Sequence, residues 1–358
     1  MDPNGVLNFH DLEELHIHQC GSLEHVLPLS VVTSCSKLNS LCISDCKEIV
    51  AVIENEDSVF IPPQFELNAL KTLSFKALPQ LKGFYGGNHT LACPSLRVMT
   101  VLGCAKLTVF KTQESLMLLQ EPLFVVEEVI PHLERLDIMI KDANLMISQT
   151  ENIGSLVTNL KHIGLYRSEN EEEVFPRELL QSARALESCS FEEIFLDDRL
   201  LNEEIRLKSL KLSHLPKIYE GPHLLLEFIG HLAVEYCPSL TNLIPSCASF
   251  NSLISLEITN CNGLISLITS SMGEILGKLE VMKVKGCNSL EAIITAEENL
   301  DFGLLLNLEV EVSECPLLKI FSEGMLSTPN LWDIKRGELY YPLVGSLNNT
   351  IGDIFIFE

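Results

Sequence analysis

The sequence predicts an α/β repeat solenoid, a horseshoe with a parallel β-sheet on its concave side and loops, short helices and 3-10 turns on its convex side. Three observations predict it. A twelve-residue pattern of apolar positions recurs along the whole chain. One of those positions is cysteine or leucine in most copies. The copies start 21 to 37 residues apart, which is the length of one supersecondary unit and too short for a domain.

The pattern is plain in LEELHIHQCGSL (12–23), LNSLCISDCKEI (38–49), LKTLSFKALPQL (70–81) and LRVMTVLGCAKL (96–107). It returns in LKSLKLSHLPKI (207–218), IGHLAVEYCPSL (229–240), LISLEITNCNGL (253–264) and LEVMKVKGCNSL (279–290). Counting slots from the first residue, slots 1, 4, 6 and 12 are apolar and slot 9 is Cys or Leu. This is the leucine-rich-repeat pattern. Weaker copies start at Leu133, Leu160, Leu186, near Asn307 and at Leu331, about 13 in all. The chain therefore reads as one repeat domain over 1–358, with an irregular middle (108–205) and a closing tail from about 331 to 358.

Slots 4 and 6 are two apart, so both point to one face of a short strand. A single strand of this kind cannot bury its apolar face. Stacking the copies pairs the strands in parallel and makes one continuous core. Slots 9 and 12 then turn the chain back into that core.

Seven of the 12 cysteines occupy slot 9, at 20, 46, 104, 237, 261, 287 and 315; Leu78, Leu215 and Leu339 hold the same slot elsewhere. Cys20 is one of this row, while His16 and His18 take outward slots, so the His-x-His-x-Cys run is not read as a zinc site, whose donors must converge on one point. Cys189 falls in slot 4 and is expected in the core. Cys42 falls in slot 5 and is expected to face solvent and to react faster than the slot-9 thiols. Slot 9 reads Lys141 and Ser168 in two copies of the middle region. Either insertions displace the turn there, or the register of those copies differs. SENEEEVF (168–175) reads as a solvated acidic loop.

The net charge of −24 and pI near 4.8 disfavour nucleic acid and anionic membrane surfaces as partners. No apolar run approaches the length of a membrane span. The start, MDPNGVLNFHDLEEL, lacks the basic and apolar segments of a secretory leader. A reduced, cytoplasmic protein is expected, with Asn88 and Asn348 in idle glycosylation triplets. There is no G-x-x-x-x-G-K-[ST], H-E-x-x-H or G-x-S-x-G string, and neighbouring carboxylates on a strand face opposite ways. No enzymatic activity, metal or cofactor is expected.

From residue 207 the copies carry a more particular signature: L-P-K-I, then C-P-S-L, N-L-I-P, N-C-N-G-L-I-S-L-I-T-S-S and K-G-C-N-S-L-E. This resembles the leucine-rich-repeat region of plant intracellular immune receptors, the coiled-coil, nucleotide-binding type of disease-resistance protein. GSLNNTIGDIFIFE is similar to the tail that closes such regions. The resemblance implies recognition of a pathogen effector or a guarded host protein, and contact with a nucleotide-binding domain of the receptor itself, which this sequence does not contain. CSKLNSLCISDCKEI and CPSLRVMTVLGCAKL, with Cys three residues before slot 1 and again at slot 9, are also similar to the repeats of F-box proteins, which hold substrates for ubiquitin transfer. Those repeats keep a steadier length than these.

The binding surface is expected on the concave sheet, at slots 2, 3, 5, 7 and 8. Those slots are close to neutral although the chain is strongly acidic. They are locally basic at Lys71, Lys76, Arg97, Lys161, Arg167, Lys208 and Lys211, which are the candidate partner-binding residues.

Overall fold

A computed structural model of the protein describes residues 9–32, 34–54, 64–86, 90–111, 122–167, 174–193, 207–215, 228–241, 243, 252–269, 278–295, 300–301, 308–322, 324, 326–328, 330–336 and 338–355. They fall in two compact units, Met1–Leu186 and Glu187–Glu358. Asn88, Ser168 and the acidic run 168–173 lie outside the described residues.

In the first unit six five-residue strands pair in parallel: Glu14–His18, Ser40–Ser44, Thr72–Lys76, Val98–Leu102, Arg135–Met139 and His162–Tyr166. Their register matches slot to slot. Slot 4 forms the row Leu15, Leu41, Leu73, Met99, Leu136 and Ile163; slot 6 forms the row Ile17, Ile43, Phe75, Val101, Ile138 and Leu165. Both rows are buried except at their first members, which the next strand covers from one side only. Each buried member contributes about 1.5–3 kcal/mol, so a shift by one residue, which would turn both rows outward, is excluded.

The second unit repeats the scheme over Ser188–Glu192, Ser209–Ser213, His231–Glu235, Ser255–Thr259, Val281–Lys285 and Glu309–Ser313. Cys189 heads its slot-4 row at 1% exposure, as slot 4 requires.

A left-handed residue ends most of these strands. Slot 8 has positive φ at Gln19, Asp45, Ala77, Gly103, Glu193, His214, Tyr236, Asn260, Gly286 and Glu314. For a residue with a Cβ this costs about 1–2 kcal/mol. The turn aims slot 9 inward, and the slot-8 N–H donates to the slot-7 carbonyl of the next strand, as in Ala77 to Leu102 (2.9 Å) and Asn260 to Lys285 (2.8 Å). Slot 9 then closes the corner. Its thiol donates back to the slot-7 carbonyl of its own copy, at 3.2 Å from Cys46 to Ser44 and from Cys237 to Glu235. That bond gives cysteine a reason to recur there.

The return path is more ordered than loops and helices alone. Short parallel strands stack behind the main strands, at His25–Leu27, Ala51–Ile53 and Gly83–Tyr85 in the first unit and at Ser266–Thr269, Ala292–Thr295 and Ile320–Ser322 in the second. Helices occupy the irregular middle, the longest being Ile140–Ser148. This settles the Lys141 question. The strand register of that copy is correct, and its chain enters the helix directly from Met139, so Ile140 is buried and Lys141 lies half-buried on the helix.

The last copy departs from the expected pattern. Glu309 pairs with Lys335, two residues beyond its slot partner, and Asp333–Arg336 is followed by an antiparallel strand, Leu339–Pro342. The chain reverses in a hairpin where a slot-9 corner was expected, so Leu339 is not in the core but 61% exposed. The helix Leu347–Phe355 is pinned by Asn348, whose side-chain oxygen accepts from the Ser322 N–H and whose amide donates to the Ser322 carbonyl, both at 2.7 Å.

Leu256 is fully buried, whereas its neighbour Glu257 is exposed. Leu256→Ala should cost about 2–5 kcal/mol and Glu257→Ala less than about 0.5 in urea unfolding; equal losses would mean the slots are misassigned. Gly286 sits at φ +65°, and a Cβ there would strike the Asn260 side chain. Gly286→Ala should therefore cost about 1–2 kcal/mol, and an unchanged unfolding midpoint would contradict the left-handed requirement.

Candidate partner-binding face

The solvent face of each main sheet carries slots 2, 3, 5 and 7. Adjacent strands bring equal slots side by side, so every charge there has a neighbour above and below. Of the seven basic candidates, four meet a carboxylate on a neighbouring turn. Glu134 sits between two of them in the slot-2 column, 2.7 Å from Lys161 and 3.9 Å from the Arg97 guanidinium. In the second unit Lys208 lies 2.9 Å from Glu187, and Lys211 lies 2.7 Å from Glu235. Lys283 with Glu311 continues the pattern. These pairs are exposed or, for Lys211 with Glu235, half-buried at the surface, and each is worth about 0–1 kcal/mol. Their effect is to cancel charge along the column. Arg167 is half-buried at the end of its strand.

Lys71 and Lys76 differ. Both are exposed, and neither forms an ion pair among the described residues. The backbone contacts of Lys71 run to Asn39 on one side and Arg97 on the other. Lys76 is flanked in register by Ser44 and Leu102. Asp45, whose N–H donates to the Lys76 carbonyl, turns its carboxylate to His18, so both lysines, at the two ends of this strand, keep their charge without an ion pair. Avoidance of like charges across strands accounts for Glu134 between Arg97 and Lys161; it does not account for Lys71 beside Arg97.

The same face holds a residue pattern reading missed. Asp137, in outward slot 5, has a side chain only 3% exposed. Arg135 donates to it through Nε at 2.7 Å and Thr100 through Oγ1 at 3.1 Å. His162 Nε2 lies 3.2 Å from its other oxygen. Gly164, directly opposite in the register, makes room: a Cβ there would collide with the Asp137 carboxylate and press on Tyr166. Burial pushes the Asp137 carboxyl up, but the bonds and charges of His162 and Arg135 together outweigh it and hold the group below the usual carboxylate range. A lone glycine in slot 5, found in no other copy, was the available signal.

At the start of the chain, the histidines and Cys20 go to separate partners. His16 lies 3.5 Å from Glu14, His18 contacts Ser44 at 2.8 Å and Asp45 at 3.2 Å, and the Cys20 thiol points at the His18 carbonyl. Among the described residues no three His, Cys, Asp or Glu side chains are grouped to hold a metal ion, and no helix is long and apolar enough to cross a membrane.

In-register parallel strands, a slot-9 corner and a polar sheet face define a leucine-rich-repeat protein. The family model for plant disease resistance protein RPS2-like leucine-rich repeats matches residues 1–47 and 246–321, roughly a third of the chain. In those two stretches the chain carries leucine-rich repeats of the plant disease-resistance type. The second overlaps the motifs from 207 onward that carry the resemblance; the first includes the copy at Leu12, and also most of CSKLNSLCISDCKEI (35–49), which is similar to F-box repeats. No curated protein matches the chain.

Asp137→Ala should cost about 1–3 kcal/mol, because Thr100 and His162 lose a buried acceptor while Arg135, 46% exposed, keeps its contact with water. The pH dependence has a definite sign. With its folded-state pKa below the ordinary 3.8, Asp137 contributes stability above that value and loses it as the pH falls through the lower folded-state pKa. Between pH 7 and pH 3 the wild type should lose more stability than Asp137→Asn does; parallel pH profiles would show that the carboxylate is not held in its charged form.

Proposed function

We propose that the protein is the recognition module of a plant intracellular immune receptor, and that it binds a pathogen effector or a guarded host protein by its main-sheet face. The family match supports the receptor reading. The observation that carries the binding face is that Lys71 and Lys76, at the two ends of one strand, are exposed without an ion pair, whereas four of the other five basic candidates meet a carboxylate. A partner with an acidic patch would meet a positive surface there, inside a chain whose other surfaces are mostly acidic. Such complementarity raises the association rate and selects the partner. Arg97, Lys161, Arg167, Lys208 and Lys211 would join the contact to the extent that a partner displaces their present neighbours. In a receptor, the repeats would also touch the nucleotide-binding domain. Nothing in this reading requires catalysis, a cofactor, nucleic acid or a membrane.

The test is co-precipitation of the tagged chain from plant cells co-expressing individual effectors and a disease-resistance nucleotide-binding domain. Specific capture of an effector or guarded protein is expected, with the association rate at low salt falling about tenfold in Lys71→Glu/Lys76→Glu and less at high salt. Binding that ignores both the substitution and salt would remove the Lys71–Lys76 surface. Stable association with a ubiquitin-ligase adaptor in place of these partners would favour the F-box reading.

A further inference from the structure

In the second unit the slot-9 cysteines of four successive turns, Cys237, Cys261, Cys287 and Cys315, stand in one column. The first three are fully buried. Cys315 is half-buried, and the fold explains why. The turn beyond it is the one that slips by two residues and reverses in a hairpin, so no slot-9 residue covers Cys315. The cysteine at the end of the column is thus open to solvent on one side and backed by a second thiol on the other.

The Cys315 thiol points at the slot-7 carbonyl of its own turn, Ser313, at 3.3 Å, and the Cys287 thiol at that of Lys285, at 3.6 Å. The Cys287 thiol and the Cys287 and Gly286 N–H groups one turn away are the donors that favour a Cys315 thiolate. These donors outweigh burial and the nearby Glu314 charge, and bring Cys315 down to about 7; the same pairing of thiols pushes Cys287 up. Elsewhere burial dominates: Cys104 is pushed up to about 11. Cys237 and Cys261 form a similar pair, but neither has a surface through which an oxidant could arrive.

We propose that Cys315 and Cys287 are a peroxide-sensitive dithiol site, in which Cys315 attacks and Cys287 resolves, closing a disulfide between adjacent turns. The Cys315 thiolate attacks one oxygen of hydrogen peroxide. The O–O bond breaks, hydroxide leaves and takes up a proton as water, and Cys315 becomes a sulfenic acid. The Cys287 sulfur then attacks the Cys315 sulfur. The S–S bond forms, the S–O bond breaks, and the leaving hydroxide departs with the Cys287 proton as a second water. Two thiols lose two electrons in all and one peroxide is reduced. Neighbouring parallel turns stand about 4.8 Å apart, inside the Cα separation of about 4.4–6.8 Å that a disulfide spans.

The test uses the full chain and one equivalent of hydrogen peroxide. The intact mass should fall by about 2 Da, and peptide mapping should find Cys287 joined to Cys315, reversibly with dithiothreitol. Cys287→Ser should instead leave a sulfenic acid on Cys315 that a 1,3-diketone captures, and Cys315→Ser should abolish both products. Should Cys315→Ser not fold, iodoacetamide labelling of the native wild type at pH 7 decides: Cys315 should react at least about tenfold faster than Cys261 and Cys287. Labelling at equal rates, a disulfide joining other cysteines, or a sulfenic acid that persists on wild-type Cys315 would each overturn the proposal.

Discussion

Within each unit the described main strands before the closing hairpin depend on meeting their neighbours in register. A five-residue strand with two inward side chains has no core of its own. It gains one when slots 4 and 6 of the next strand lie directly beside its own, and each mismatch by one residue would put both rows in water. The left-handed slot-8 residue carries this constraint from one turn to the next. It bends the chain inward, costs conformational energy wherever the residue has a Cβ, and recovers part of it by donating its N–H across to the following strand. The stacking of His214 on Tyr236, with ring centroids 5.2 Å apart and planes within 8°, adds to the same column. The slot-9 thiol completes the corner by bonding back to the slot-7 carbonyl, a contact leucine cannot make.

The stacking that builds the core also sets the electrostatics of the sheet face. Side chains in one slot become a column, so a charge is judged by the residues one turn above and below it. Most basic residues here stand beside a carboxylate, and Asp137 is drawn under Arg135 and His162 because Gly164 leaves it room. Lys71 and Lys76 are departures among the basic residues. A partner surface is most economically sought where the column leaves charge uncancelled, since an ion pair already made must be broken before it can be remade.

Much of the fold was legible in the spacing of leucines, because period-two burial and a fixed corner are local consequences of residue type. Leu256, Cys189 and the strand register of the irregular middle all lie where the slots put them. Other features depend on neighbours that one copy does not reveal. Slot 8 was read as exposed and unremarkable; only Gly103, Gly286, Asn260 and Asp45 hinted at a left-handed turn, and Tyr236 or Glu314 hinted at none. Leu339 was placed in the core because its copy was assumed to close like the others, whereas the hairpin reverses the chain first. Asp137 stands in an outward slot, and its own copy carries nothing that marks it as buried. Its burial comes with Arg135, His162 and Thr100 around it and a glycine on the next strand. The basic residues were visible one by one, but which of them are paired is a property of the stack.

Native-state hydrogen exchange tests the register most directly. The slot-8 amides of Asp45, Ala77, Tyr236, Asn260 and Gly286 lie outside the strands, yet each donates to a carbonyl one turn away. They should exchange as slowly as the strand amides of Leu73 and Leu256, on the order of a thousandfold or more below the unprotected rate. If they exchange at the rate of open turns while the strand amides stay protected, the left-handed corner does not link successive turns, and the stack is held by its apolar rows alone.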